Sequence, residues 1–364
     1  MTTIVTIHKK AHKRAIPRII VAASAFLAAV SLMFGPADIA HAQGKGKGGG
    51  KQGAAPAPPP AATRPPNPAW ANAEVHTLKV QGNVYMIVGP GGNTAVQVGD
   101  SGALVVDTQY EEVSDKIIAE IRKLTSKPIR YVINTSADMD HTDGNAKISR
   151  AGAPVIGGNL GAVAFDNGAT IVAQENVLRA MSEAGEGKAD ENADKLPTTT
   201  YFQGQKEIFF NEEPVIVMFE PAAHTNGDSM VFFRRSDVIA TGDIFNMDSY
   251  PVVNLDKGGN IQGVIKALNV VLEITIPKHE QEGGTYVIPG HGRLTDEHDV
   301  LEYRDMVTII RDRVQNMIKK GMTLAQVKEA KPTFEYDGRY GSTTGPWTTD
   351  MFVEAVFKSL TPKK

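Results

Sequence analysis

Three histidines stand in tight turns directly after apolar runs: His141 in "DMDHTDGN", His224 in "PAAHTNGDS" and His291 in "IPGHGR". Asp140 precedes the first of them, and Asp243 follows another apolar run in "ATGDIF". Imidazoles and carboxylates at several strand ends are what a divalent-ion site needs, because strand ends converge on one edge of a sheet. The chain has no cysteine, so disulfides and thiolate ligation are ruled out and any ion must be held by nitrogen and oxygen. Asp-Gly and Asn-Gly pairs are ordinary turn formers, but turn chemistry does not call for the three histidines. His76, His279 and His298 lie in polar segments and are expected at the surface.

The elements that must carry these turns are short. "HTLKV", "NVYMIVG", "NTAVQVG" and "GALVVD" are β-branched runs separated by Gly-containing turns, the pattern of hairpin-connected strands. "EEVSDKIIAEIRKLTS" then places Val113, Ile117, Ile118, Ile121 and Leu124 on one helical face, and "IRYVIN" reads as a buried strand. The second half has the same texture: strands at "EPVIVMFEP", "SMVFFRR", "DVIATGD" and "TYVIPG", and a helix at "NIQGVIKALNVVLEITI". Val307, Ile310, Val314, Met317 and Ile318 form an apolar helical stripe that stops at Gly321. Thr323 to Gln326 has capping-box spacing, and a last helix carries Val353, Val356, Phe357 and Leu360. Glu183 to Pro197 is charged and Gly-containing, and is expected to be a mobile surface loop.

Residues 1–42 combine a basic start (Lys9, Lys10, Lys13, Arg14, Arg18), an apolar run from Ile19 to Phe34 and a small-x-small site at Ala40-His41-Ala42. This reads as a secretory signal cleaved near Ala42, giving a secreted or periplasmic protein. An uncleaved anchor is the alternative, although the run is short against the ~20 residues of a membrane span. Residues 43–72 are Gly/Lys-rich, then Pro/Ala-rich, and read as a linker. A candidate domain at 73–298 follows, with a helical extension packed on it at 299–364. Five of the 38 basic and one of the 41 acidic residues fall in the signal, so the formal net charge moves from −3 to −7 on cleavage. That balance argues against nucleic acid and against stable membrane insertion, and leaves a small-molecule substrate as the expected partner. Oligomeric state is open.

In order and spacing the four polar motifs resemble the metallo-β-lactamase fold superfamily, over about Val75 to His298. That family's pattern is His-x-His-x-Asp-His followed by Gly-Gly-Asn, then a lone His, a Gly-Asp pair and a final Gly-His. Here "SADMDHTDGN", "AHTNGDS", "TGDIF" and "PGHG" stand in those places. The resemblance implies an α/β fold, an αββα sandwich of two mixed β-sheets flanked by helices, with the C-terminal helical extension added. It implies Asp140, His141 and His291 as ligands of one metal position, Asp243 as a bridge, and His224 as a ligand of a second position. Asp107, at the end of "VVD", would support the site from beneath. Ser136 and Asp138 stand where the family has two further imidazoles. Asp138 then becomes a carboxylate ligand, while the Ser136 hydroxyl is a poor ligand that stays beside the site. The extra carboxylate makes the second position harder and more anionic, so iron or manganese gain on zinc, the expected ion. One or two divalent ions are expected.

The resemblance implies a secreted metal-dependent hydrolase. In it a water acidified by the metal would attack an ester, lactam or thioester-type substrate, with Asp140 orienting that water. Two other readings stay open. One is a non-catalytic or weakly catalytic metal-binding scaffold whose first metal site has degraded. The other is a diiron redox protein, whose branch of the superfamily has a carboxylate at the second position but keeps the first histidine and carries a flavin domain. Tyr201 and Phe202 in "TTTYFQGQ" either line a substrate cleft or pack in the core.

Overall fold

Strand propensity and period-2 alternation are realised from residue 76 onward. The computed structural model of the chain describes residues 67–154, 168–184, 193–281 and 283–361, all within one packing unit, Pro58–Lys364. The expected signal at 1–42 and most of the expected linker at 43–72 lie outside the described residues. The linker's end does not: Pro68–Asn72 form helix α1, started by Asn67, whose side chain accepts from the Ala69 amide. Trp70 stacks on Tyr110 at 3.7 Å between ring centroids, so residues before 73 also pack on the domain. An Asn N-cap followed by Pro is a helix start even inside a Pro/Ala-rich tract.

The first sheet runs in chain order: β1 His76–Gln81, β2 Val84–Gly89, β3 Gly92–Gly99, β4 Gly102–Val106, β5 Ile129–Ile133, β6 Thr170–Gln174 and β7 Thr199–Tyr201. Its first four strands pair antiparallel and the rest parallel, with α2 (Ser114–Leu124) making the crossover from β4 to β5. Beyond β5 come two short helices, α3 Met139–Thr142 and α4 Asn145–Arg150, and beyond β6 comes α5 Glu175–Ala184. The second sheet contains β8 Gln205–Phe210, β9 Glu213–Phe219, β10 Ser229–Phe233, β11 Val238–Ala240, β12 Tyr286–Ile288 and β13 Thr295–Asp296. Only β11 and β12 pair parallel, connected through α6, Ile261–Ile274. Both sheets are therefore mixed.

Alternation assigns the layers. Met86, Leu104, Val106, Ile133 and Val172 point inward and meet Val215, Val217, Val231, Phe233, Ala240 and Ile288 of the second sheet. Their neighbours Ile87, Val105, Val132 and Ile171 point outward onto Ile117, Ile118 and Ile121 of α2 and Ile148 of α4. On the other side Met230, Ile239 and Val287 pack under α6, α7 (Glu297–Lys319) and α10 (Thr349–Leu360). Burying side chains of this size contributes roughly 1.5–3 kcal/mol each before chain entropy is counted. The order helix, sheet, sheet, helix follows from which face each apolar residue takes, as the resemblance implied.

The C-terminal extension starts at Glu297, two residues before the expected 299, because Asp296 caps α7 by accepting from the His298 and Asp299 amides. Two shorter helices, α8 Leu324–Glu329 and α9 Asp337–Tyr340, precede α10, and the Thr323–Gln326 capping box at the start of α8 is present. Strands β6, β7, β8 and β13 were not expected. β6 is nearly all buried and so shows little alternation, while β7 and β13, three and two residues long, are too short to show a period. The expected loop at 183–197 is only partly described, and its end is pinned: the Lys195 ammonium lies 3.1 Å from both Glu111 and Asp143. Among the described residues no helix is long and apolar enough to cross a membrane.

Candidate metal centre

The polar motifs sit just past the C-terminal ends of β4, β5, β9, β11 and β12, along the rim where the two sheets meet. The chain leaves β4 at Asp107 with φ +61°, a left-handed conformation rare outside glycine. This turn aims the carboxylate at three donors. Asp107 accepts from the Thr135 amide at 2.8 Å and from the Thr135 hydroxyl at 2.6 Å, and lies 2.7 Å from His141 Nδ1. His141, on α3, is further held by its carbonyl, which accepts from the Thr108 amide and the Asn134 side chain. Asn145 interlocks with both of those residues. With Nδ1–H committed to Asp107, the lone pair of a neutral His141 is on Nε2 and points into the centre.

Four donors meet there. Oxygen or nitrogen atoms of Asp140, His141, Asp243 and His291 all lie within 4.8 Å of one another. His141 Nε2 and His291 Nε2 are each 3.3 Å from Asp243 Oδ1, and His291 Nε2 is 3.3 Å from Asp140 Oδ2. His141 Nε2 and Asp243 Oδ1 are nevertheless buried without a hydrogen bond of acceptable geometry. Buried polar atoms left unsatisfied are costly, and two that converge with two further donors fit a divalent ion bound by two imidazoles and two carboxylates. Gly290 makes the approach of Asp243 possible, since a Cβ there would lie 2.4 Å from Asp243 Oδ1.

The second group, Asp138, His224 and Asp243, is arranged differently. His224 Nε2 is 2.7 Å from Asp138 Oδ2, and its Nδ1 is 2.7 Å from the Val252 carbonyl. His224 Nε2 is 3.9 Å from Asp243 Oδ2. The other oxygen of Asp138 accepts a hydrogen bond from the Lys257 ammonium. Ser136 is buried, and its hydroxyl accepts from the Asp138 amide at 3.2 Å in a local turn.

Charge is balanced within the centre. Burial alone would lower the imidazole pKa values, but the carboxylates outweigh it: Asp107, Asp243 and Asp140 hold His141 well above its usual 6.5. The Asp138 hydrogen bond and Asp243 raise His224 to about 9, and Asp243 and Asp140 raise His291 to about 10. Burial would raise Asp243, yet His141 and His291 hold it well below the carboxylate range. Asp138 is likewise held low, by His224 and Lys257, against its own desolvation. Metal uptake at these nitrogens is therefore coupled to proton release.

All six expected ligand positions thus converge, in two groups that share Asp243, with Asp107 beneath them. His76, His279 and His298 are exposed as expected. Tyr201 belongs to the core between the sheets, its hydroxyl 2.6 Å from Ser229, whereas Phe202 is exposed. Sequence reasoning missed Thr135, Asn134, Asn145, the Val252 carbonyl and Lys257. The "NT" and "GN" flanks of the first motif were a signal for the polar support of His141, and "DKGG" was one for a tight turn presenting a lysine.

Residues 77–291, more than half of the chain, match the family described as the metallo-beta-lactamase superfamily. The chain belongs to that superfamily, whose fold typically binds divalent metals, and it carries candidate ligand groups for one. Among solved structures it is similar to the stereoselective inverting sec-alkylsulfatase Pisa1 from Pseudomonas sp., at 14% identity and a TM-score of 0.56 over 78% of this chain and 50% of that one. It therefore spans half the length of the alkylsulfatase, and at this identity the likeness carries the fold alone. A metallo-beta-lactamase from Pontibacter korlensis aligns at 14% identity and a TM-score of 0.49, over 65% of this chain and 99% of that one. No curated protein matches the sequence.

Proposed function

We propose that the chain is a metal-dependent hydrolase whose ion is held by Asp140, His141, Asp243 and His291 and whose substrate is a small ester, lactam or thioester-type molecule. One observation carries this reading: two buried donor atoms without hydrogen bonds, His141 Nε2 and Asp243 Oδ1, face each other within a four-residue N/O cluster. A divalent ion in such a cluster supplies a Lewis acid for a carbonyl or ester oxygen and acidifies water at neutral pH. Zinc suits the donor set, and iron or manganese are alternatives. The protein's own contribution is positional. Asp107 fixes the ring of His141, and Asp140 is more exposed than Asp243, 22% against 10% of the side chain, so it is the carboxylate assigned to accept a proton from water and orient it. The proposal keeps residues 1–42 as an export signal, which puts the enzyme in the periplasm or outside the cell.

A non-catalytic metal-binding scaffold is the second reading. It is favoured by Asp138, both of whose carboxylate oxygens already face cationic groups of this chain. Elemental analysis of the purified protein and a panel of ester, lactam and thioester substrates, run with and without chelator, separate the two. The hydrolase reading expects bound metal and turnover that a chelator abolishes and added metal restores. Bound metal with no turnover on any of these classes favours the scaffold, and a protein that takes up no metal sinks both.

A further inference from the structure

Lys257 lies far from every recognised motif in the sequence, yet its ammonium reaches Asp138, the residue that replaces an expected imidazole. We propose that this ammonium is a resident cation that occupies the electrostatic place of an ion at the Asp138–His224–Asp243 group, so that the chain holds one metal ion rather than two. The inference rests on the reading of the Asp140–His141–Asp243–His291 group as the metal position.

The turn that presents Lys257 is stitched to the turn that presents His224. Asn254 donates its amide to the His224 carbonyl at 2.9 Å, Asn226 donates to the Lys257 carbonyl at 2.9 Å, and Asn260 donates to the Ala223 carbonyl at 3.0 Å. The Lys257 amide is itself held by the Asn254 side chain. The two turns run so close that a Cβ at Gly259 would sit 2.1 Å from the His224 carbonyl oxygen, and Gly258 turns through φ +82°. These contacts fix the root of the lysine side chain relative to His224, while the half-exposed ammonium completes the partners of Asp138. An ion pair of this kind neutralises the additional carboxylate without recruiting metal, and an ammonium repels a cation brought to the same carboxylate.

The test is a calorimetric titration of chelator-stripped full-length protein with Zn²⁺, with ions per chain checked by elemental analysis. Wild type should take up one ion. Lys257→Met should show a second binding event about tenfold or more tighter than any second event in wild type, and Lys257→Arg should stay at one ion. Adding Asp138→Asn to Lys257→Met should abolish the second event. Circular dichroism checks that each variant is folded, as the exposure of Lys257 leads one to expect. Two ions per wild-type chain, or superimposable titrations of wild type and Lys257→Met, overturn the proposal while leaving the metal-dependent reading in place. A wild type that takes up no ion overturns both.

Discussion

The two halves of the centre share Asp243 and differ in what their donors already do. In the half made by Asp140, His141 and His291, one imidazole is oriented by a buried carboxylate and its inner nitrogen has no hydrogen-bond partner. In the half made by Asp138 and His224, both ring nitrogens and both carboxylate oxygens face partners within the protein. Two clusters of similar composition therefore differ in the contacts that an incoming ion would have to displace. A group of histidines and aspartates takes up an ion most readily where the ion replaces protons rather than well-formed hydrogen bonds.

The largest expected effect comes from removing His141. His141→Ala deletes a ligand and leaves Asp107 buried without its cationic partner, so ion uptake should be lost and stability should fall by about 3 kcal/mol or more, read by elemental analysis and denaturant unfolding. His291→Ala should also lose the ion with a smaller stability loss, because that side chain is partly exposed. Retention of a stoichiometric ion by His141→Ala would erase the contrast between the halves. Asp107→Asn should weaken metal binding by about 10–100-fold, since it loosens the orientation of His141 without removing a ligand; unchanged affinity in a competition titration would argue that the buried pair is purely structural.

A pH series sharpens the comparison further. His224 and His291 have folded pKa values of about 9 and about 10, raised above the usual 6.5. Their contribution to stability in the ion-free chain is complete below the unfolded value of 6.5 and is lost progressively as pH rises from there through 9 to 10. Thermal unfolding of the chelator-treated protein should therefore weaken across that window, and metal-loaded protein should resist the loss, because ligated His291 no longer depends on its proton. Parallel curves for the two forms would contradict this. The smallest effect is expected from Ser136→Ala, which removes one local turn hydrogen bond and should cost about 1 kcal/mol or less with no change in ions per chain.

Much of the layer assignment was legible because alternation is local. Met86 and Ile87, or Leu104 and Val105, go to opposite faces of a strand whatever surrounds them, and the Thr323–Gln326 cap needs only its own turn. Strands β6, β7, β8 and β13 were not legible: β6 is nearly all buried, β7 and β13 are only three and two residues long, and β8 adjoins a polar segment; α1 was hidden by the proline-rich tract that precedes it. Tyr201 shows the same limit at one residue. A tyrosine beside a polar segment fits a cleft or a core equally well in sequence, and only the opposite sheet, with Ser229 at 2.6 Å, places it in the core.

At the centre, the sequence by itself determined the donor types, the absence of thiolates and the placement of each donor at a strand end, because residue type and period are properties of the chain alone. The tertiary structure decided which donors are free. Lys257 and Asp138 are 119 residues apart, and nothing local to either announces the other. Whether a carboxylate meets an ammonium or waits for an ion depends on distances across two sheets, and those exist only once both have packed.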